Sequence, residues 1–132
     1  RDLVKQLRLD YLLIDTHPGL NEETLLSIAI SDALLIILRP DQQDYQGTAV
    51  TVEVARRLDV PWLRLVVNKV LPCYEECAIR EQVEGTYGAT VAGIIPESDD
   101  MLRLGSSDVF CLCYPEHPLT GRVREIATQL LG

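Results

Sequence analysis

Four short, largely apolar runs, each stopped by a polar or charged residue or a proline, constrain this chain more than any other feature. They cover 11–14 ahead of Asp15, 33–38 ahead of Arg39, 62–67 ahead of Asn68-Lys69, and 90–95 ahead of Pro96. Between them lie stretches with helical signals. Asn21 stands where a helix N-cap is wanted, with Glu22 and Glu23 favouring the first turn, and apolar residues continue to position 30. Further helices are expected over about 44–58, 75–87 (closed by Gly88), 100–104 and 119–131. The run 33–38 is apolar at every position, which predicts a strand covered on both faces, as in a parallel sheet. Strand–helix alternation with such runs predicts an α/β fold: a mostly parallel sheet with flanking helices, joined by right-handed crossovers. With 132 residues and no repeat or linker, residues 1–132 are read as one domain.

Sheets of this kind bind ligands beyond the carboxyl ends of their strands. The polar residues gather there: Asp15, Asp41, Asn68-Lys69 and Glu97-Ser98-Asp99. An aspartate at a strand tip can hold the water shell of a phosphate-bound Mg²⁺, a cation that keeps much of its water and takes few protein oxygens. Gly19, shortly after Asp15 and Pro18, permits a close backbone N–H approach to a phosphate oxygen. As a competing reading, Asp15 ends a strand and Pro18-Gly19 is a turn. Asn68 offers both a donor and an acceptor to a purine edge, and the Lys69 stem can lie along the base; alternatively the pair is a polar strand end. Pro96, Glu97, Ser98 and Asp99 form a loop whose carbonyl and carboxylate acceptors suit an adenine amino group. Equally, Ser98 or Asp99 there caps a helix.

Charge narrows the function classes. Twelve Lys and Arg against twenty Asp and Glu give a net charge of −8, which argues against sequence-independent nucleic-acid binding and adsorption to anionic lipid. DNA binding is therefore not predicted. No uncharged apolar run approaches the roughly 18 residues of a membrane span. Cys73, Cys77, Cys111 and Cys113 are expected as reduced thiols in a cytoplasmic protein.

In this order, Asp15-Thr16-His17-Pro18-Gly19, Asn68-Lys69 and Gly93-Ile94-Ile95-Pro96 with its following loop resemble the MinD/ParA family of P-loop ATPases, the deviant Walker A group. The resemblance runs over nearly the whole chain. It implies a P-loop NTPase type of fold, with Asp15 in the Walker B role, catalytic and holding Mg²⁺ through water. Pro18 and Gly19 fall in switch II, and Asn68, Lys69, Pro96, Glu97, Ser98 and Asp99 fall around the base. ATP and Mg²⁺ are the implied cofactors. An ATP-dependent homodimer acting on an unidentified partner or cargo is the implied behaviour, as in partitioning or division-site positioning.

The chain departs from the family pattern. It contains no Gly-x-x-x-x-Gly-Lys-Ser/Thr, the loop that precedes switch II in the family, so it is expected to be the C-terminal portion of such an ATPase, with hydrolysis expected of the full-length protein and not of this chain alone. His17 replaces the family's usual Pro or Ala and is expected to face solvent. The C-terminal stretch 122–131 reads as a packed helix, with no membrane-anchoring tail. Two other classes compete: a degenerate nucleotide-fold module that only binds a protein partner, and an Mrp-type iron–sulfur carrier using Cys73 and Cys77. The Cys-x-x-x-Cys spacing of the latter pair suits a helical face better than a cluster loop.

Overall fold

A computed structural model describes residues 2–132, with side chains described from Val4 onward. The element order is α1 (Asp2–Leu7), α2 (Glu22–Ile30), β1 (Ala33–Leu38), α3 (Gln42–Arg57), β2 (Trp62–Val70), α4 (Glu76–Tyr87), β3 (Val91–Pro96), α5 (Asp99–Leu104), α6 (Phe110–Cys113) and α7 (Pro118–Leu131). Both strand pairings are parallel, in the order β1-β2-β3. The expected α/β architecture is therefore present. Its parallel order brings the carboxyl ends of all three strands to one edge of the sheet.

The helix signals correspond to real caps. Asn21 Oδ1 accepts the Thr24 N–H at 2.8 Å, and Gly88 closes α4 in the left-handed region with φ 59°; Asp41, read in sequence only as a polar strand end, also caps a helix, its Oδ1 accepting the Asp44 N–H at 2.9 Å. Each satisfies a backbone group that a helix end leaves without an internal partner.

The sheet packs its two faces unequally. Ile36, Leu38, Leu65, Val67, Val91 and Ile94 form the larger core with Val52 of α3 and with Ile79, Val83 and Tyr87 of α4. On the other face Val66 and Ala92 pack against Ile126 of α7, joined by Leu35 and Ile95. Gly93 makes the approach of α7 possible: a Cβ there would lie 2.5 Å from Ile126 Cγ1. Gln129 of α7 adds a hydrogen bond from its Nε2 to the Ala92 carbonyl oxygen at 2.8 Å.

Two expectations fail at the β1 side. The run 33–38 is covered along one face and only at Leu35 on the other. Ile36 and Leu38 are buried, whereas Ile37, which alternation turns to the opposite face, is 60% exposed. The run 11–15 does not form a strand. Leu12, Leu13 and Ile14 are exposed, Leu13 to 82%. A strand needs a ladder partner, and among the described residues β1 pairs with β2 alone. The 11–15 segment is instead touched by a long contact from the Tyr11 hydroxyl to the Leu131 carbonyl oxygen at 3.5 Å.

Candidate functional site at the strand ends

The strand ends build the site from the β2–β3 pair outward. Val70 stands opposite Pro96, and the Glu97 N–H donates to the Val70 carbonyl oxygen at 2.9 Å. That bond carries the ladder one residue past β3 and ties the start of the Pro96-Glu97-Ser98-Asp99 loop to the residue that follows Asn68-Lys69. Asn68 is half-buried and Lys69 exposed, so the pair is open to solvent at the sheet edge. Asn68 Oδ1 accepts the Lys69 backbone N–H at 2.9 Å. Ser98 caps α5, its Oγ accepting the Met101 N–H at 3.3 Å. The capping reading of Ser98 is thus realised, and its hydroxyl hydrogen stays free to donate. Glu97 and Asp99 are exposed.

The tip of β1 carries a network that the sequence pattern did not single out. Asp44 Oδ2 accepts the Arg39 backbone N–H at 2.8 Å and Arg39 Nε at 3.2 Å, and Asp41 Oδ2 lies 3.5 Å from the same Nε. Partial burial works against the Asp44 carboxylate, but the hydrogen bonds and charge of Arg39 prevail and hold its carboxyl below the ordinary carboxylate range. The signal was the Asp41-x-x-Asp44 spacing, an N-cap followed by an acid at the third helical position. Asp44 turns to Arg39 instead of to the cap.

The switch-like segment stands apart from these contacts. Asp15, His17, Pro18 and Gly19 are exposed. Gly19 has φ +96°, a backbone conformation that disfavours any residue with a Cβ, although no atom within 4 Å would obstruct one. The structure joins Val70, the residue after Asn68-Lys69, to Glu97 of the Pro96–Asp99 loop, and among the described residues it shows no contact linking either to Asp15.

Two features lie off the strand ends. An open apolar groove of about 550 Å³ runs between α2 and α3, lined by Leu25, Leu26, Ala29, Val54 and Leu58 with Glu22 and Arg57. It lacks the converging polar groups that orient a nucleotide, so size does not make it the site. The four cysteines are free thiols; Cys73 precedes α4 and Cys77 lies within it. Among the described residues no three His, Cys, Asp or Glu side chains are grouped to hold a metal, and no helix is long and apolar enough to cross a membrane.

A parallel sheet with helices on both faces and its polar loops at the carboxyl edge defines the class: an α/β fold. Among solved structures the chain is similar to the MinD cell division protein of Aquifex aeolicus, with a TM-score of 0.81 at 18% identity over 99% of this chain and 58% of that one. It is also similar to a chain of the MinC:MinD cell division protein complex of the same organism, with a TM-score of 0.82 at 18% identity over 99% of this chain and 55% of that one. The fold is therefore MinD-like. Among curated proteins, two from Methanocaldococcus jannaschii are similar. One, the uncharacterized ATP-binding protein MJ0547, is 24% identical over 124 residues, 93% of this chain and 47% of that protein. The other, the uncharacterized ATP-binding protein MJ0169, is 28% identical over 92 residues, 70% of this chain and 35% of that protein. The chain spans about half the length of the first of these relatives. No protein-family profile matches it.

Proposed function

We propose that residues 1–132 form the base-binding and switch II half of a MinD-like ATP-dependent switch. The carrying observation is the Glu97 N–H to Val70 carbonyl bond, which ties the Pro96–Asp99 loop to the residue that follows Asn68-Lys69, at the edge where sheets of this class take their ligands. The ATP-binding description of both curated relatives supports the same ligand.

In this reading Asn68 meets the base edge and the Lys69 stem lies along the base. Pro96, Glu97, Ser98 and Asp99 present carbonyl, hydroxyl and carboxylate groups to the exocyclic amine. Asp15 fits Mg²⁺: its exposed carboxylate has no hydrogen bond or ion pair among the described residues, and one hard oxygen suits a cation that keeps its own water. When bound, Mg²⁺ supplies charge neutralisation at the phosphates. In this reading the Gly19 N–H senses the terminal phosphate, and the helix that follows, α2, transmits it.

The whole protein acts as a cytoplasmic ATPase and homodimer whose partner is another protein or cargo. The structural likeness to a chain of the MinC:MinD cell division protein complex supports a protein partner as the class. Its phosphate-binding loop lies in sequence outside residues 1–132. This chain alone consequently binds Mg-ATP weakly, because the backbone amides and lysine of that loop provide most of the complementarity to a triphosphate.

The test is Asp15→Ala in the full-length protein, assayed by calorimetry and by turnover. Hydrolysis should fall well below wild type while Mg-ATP affinity changes little. Unchanged turnover at saturating Mg-ATP removes Asp15 from the site, and absence of ATP binding by the full-length wild type favours the degenerate partner-binding module.

A further inference from the structure

Among the described residues three non-glycines have positive φ: Arg8, Asp59 and Lys69. The first two follow helices, where a left-handed residue is an ordinary terminator. Leu9 N–H returns to the Val4 carbonyl after α1, and Val60 N–H to that of Ala55 after α3. Lys69 terminates no helix. It lies inside β2 with φ +56°. Between the pairs Val67↔Ile94 and Val70↔Pro96, β2 advances three residues while β3 advances two. The surplus residue is a bulge.

Its consequence is visible in the core. Val67 and Val70 are three residues apart, so strict alternation would place them on opposite faces. Both nonetheless belong to the cluster on the α3–α4 face. The bulge returns Val70 to the core and takes Asn68 and Lys69 out of the alternating pattern, at the strand end and next to the Pro96–Asp99 loop. Asn68 Oδ1 is tied to the Lys69 N–H, so the direction of the amide side chain follows the backbone of the next residue.

We propose that the left-handed backbone of Lys69 is a positioning device: it aims Asn68 at the adenine edge, so that Lys69 governs base selectivity through its φ and not through its charge. This rests on the base-edge reading of Asn68 given above. Unfavourable backbone conformations persist where the surroundings over-determine them, and bulges beside binding sites re-aim side chains.

The test uses the full-length protein and the ratio of ATP to GTP affinity, measured by competition with a fluorescent adenine nucleotide. Lys69→Gly and Lys69→Asn tolerate positive φ; both should keep the wild-type ratio even where loss of the stem weakens both nucleotides. Lys69→Val resists positive φ and should lower the ratio about tenfold, the scale of one misplaced base-edge contact. Lys69→Thr, a smaller β-branched residue, should lower it less, and it replaces valine if the valine protein does not fold. A wild-type ratio in both β-branched variants overturns the proposal, as does an equal loss in all four, which would assign selectivity to the lysine side chain. Asn68→Ala run in parallel separates the two levels. If it leaves the ratio unchanged, the base-edge reading itself falls. If it collapses the ratio while Lys69→Val does not, only the positioning role falls.

Discussion

Replacing Gly93 by alanine tests the packing that holds α7 against β3, and its cost can be worked from the structure. The added Cβ would stand 2.5 Å from Ile126 Cγ1 and 2.6 Å from Cδ1. Carbon atoms in contact prefer about 3.5–4.0 Å, so roughly 1 Å must be recovered. Ile126 is 7% exposed, which leaves it little room to rotate away. Moving α7 as a body instead strains the Gln129 to Ala92 hydrogen bond beside it. Overpacking of this kind costs about 1–3 kcal/mol. Removing a glycine from the unfolded chain returns about 0.4–1 kcal/mol. The steric term wins, leaving a net loss of about 1–2 kcal/mol. For a chain of this size that corresponds to a fall in Tm of roughly 3–8 °C. Thermal and urea unfolding of Gly93→Ala, Ile126→Ala and the double variant measure it. The double variant should be more stable than the sum of the single losses predicts, by about 1 kcal/mol, because the alanine Cβ then occupies space that the isoleucine vacated. Additive losses, or a Gly93→Ala protein as stable as wild type, would refute the close-approach account.

Two further perturbations address the switch and the core. Gly19→Val in the full-length protein should leave ADP binding nearly intact while abolishing ATP-dependent dimerisation, read by sedimentation with each nucleotide; the +96° backbone penalises a β-branched residue even though the surrounding space is open. Normal ATP-induced dimers would reduce Gly19 to a turn residue. Tyr87 provides a pH test. Burial, with smaller contributions from Tyr45 and Asp44, pushes its phenol up to about 12, and the hydroxyl donates to the Tyr45 carbonyl oxygen at 2.8 Å. The neutral phenol therefore stabilises the fold fully below pH 10, and this contribution is lost as pH rises from about 10 to about 12. Tyr87→Phe should be less stable than wild type by about 1 kcal/mol at neutral pH, and unfolding titrations should show the gap narrowing across that window. A gap constant with pH would contradict it.

The alternation of apolar runs and helix signals made the architecture legible because parallel strands and caps leave local marks. Asn21 and Gly88 are such marks, and the helices they bound match expectation to within a residue or two. The sequence could not show which apolar runs find partners. Residues 11–15 have the composition of a strand, yet a strand is a property of a pair, and β1 turns no ladder towards them among the described residues. Ile37 misled for the same reason: its apolarity promised a covered face that α7 does not reach. In the candidate site, Asn68-Lys69 and the Pro96–Asp99 loop were legible only as polar residues at strand ends. The bulge escaped notice because lysine carries no signature of left-handed backbone. A glycine or asparagine there would have signalled it.

The central claim is that nucleotide binds at the carboxyl edge of this sheet. Amide chemical shifts of the isotope-labelled full-length protein, followed during titration with Mg-ATP, test it most directly. Asn68, Lys69, Glu97, Ser98 and Asp99 should shift together and saturate with one affinity, while Arg64, Gly88 and Thr90 at the opposite edge stay still. Saturable shifts centred on Arg64, Gly88 and Thr90, or on Leu25, Leu26 and Leu58 in the apolar groove, with none at Asn68, would contradict the account.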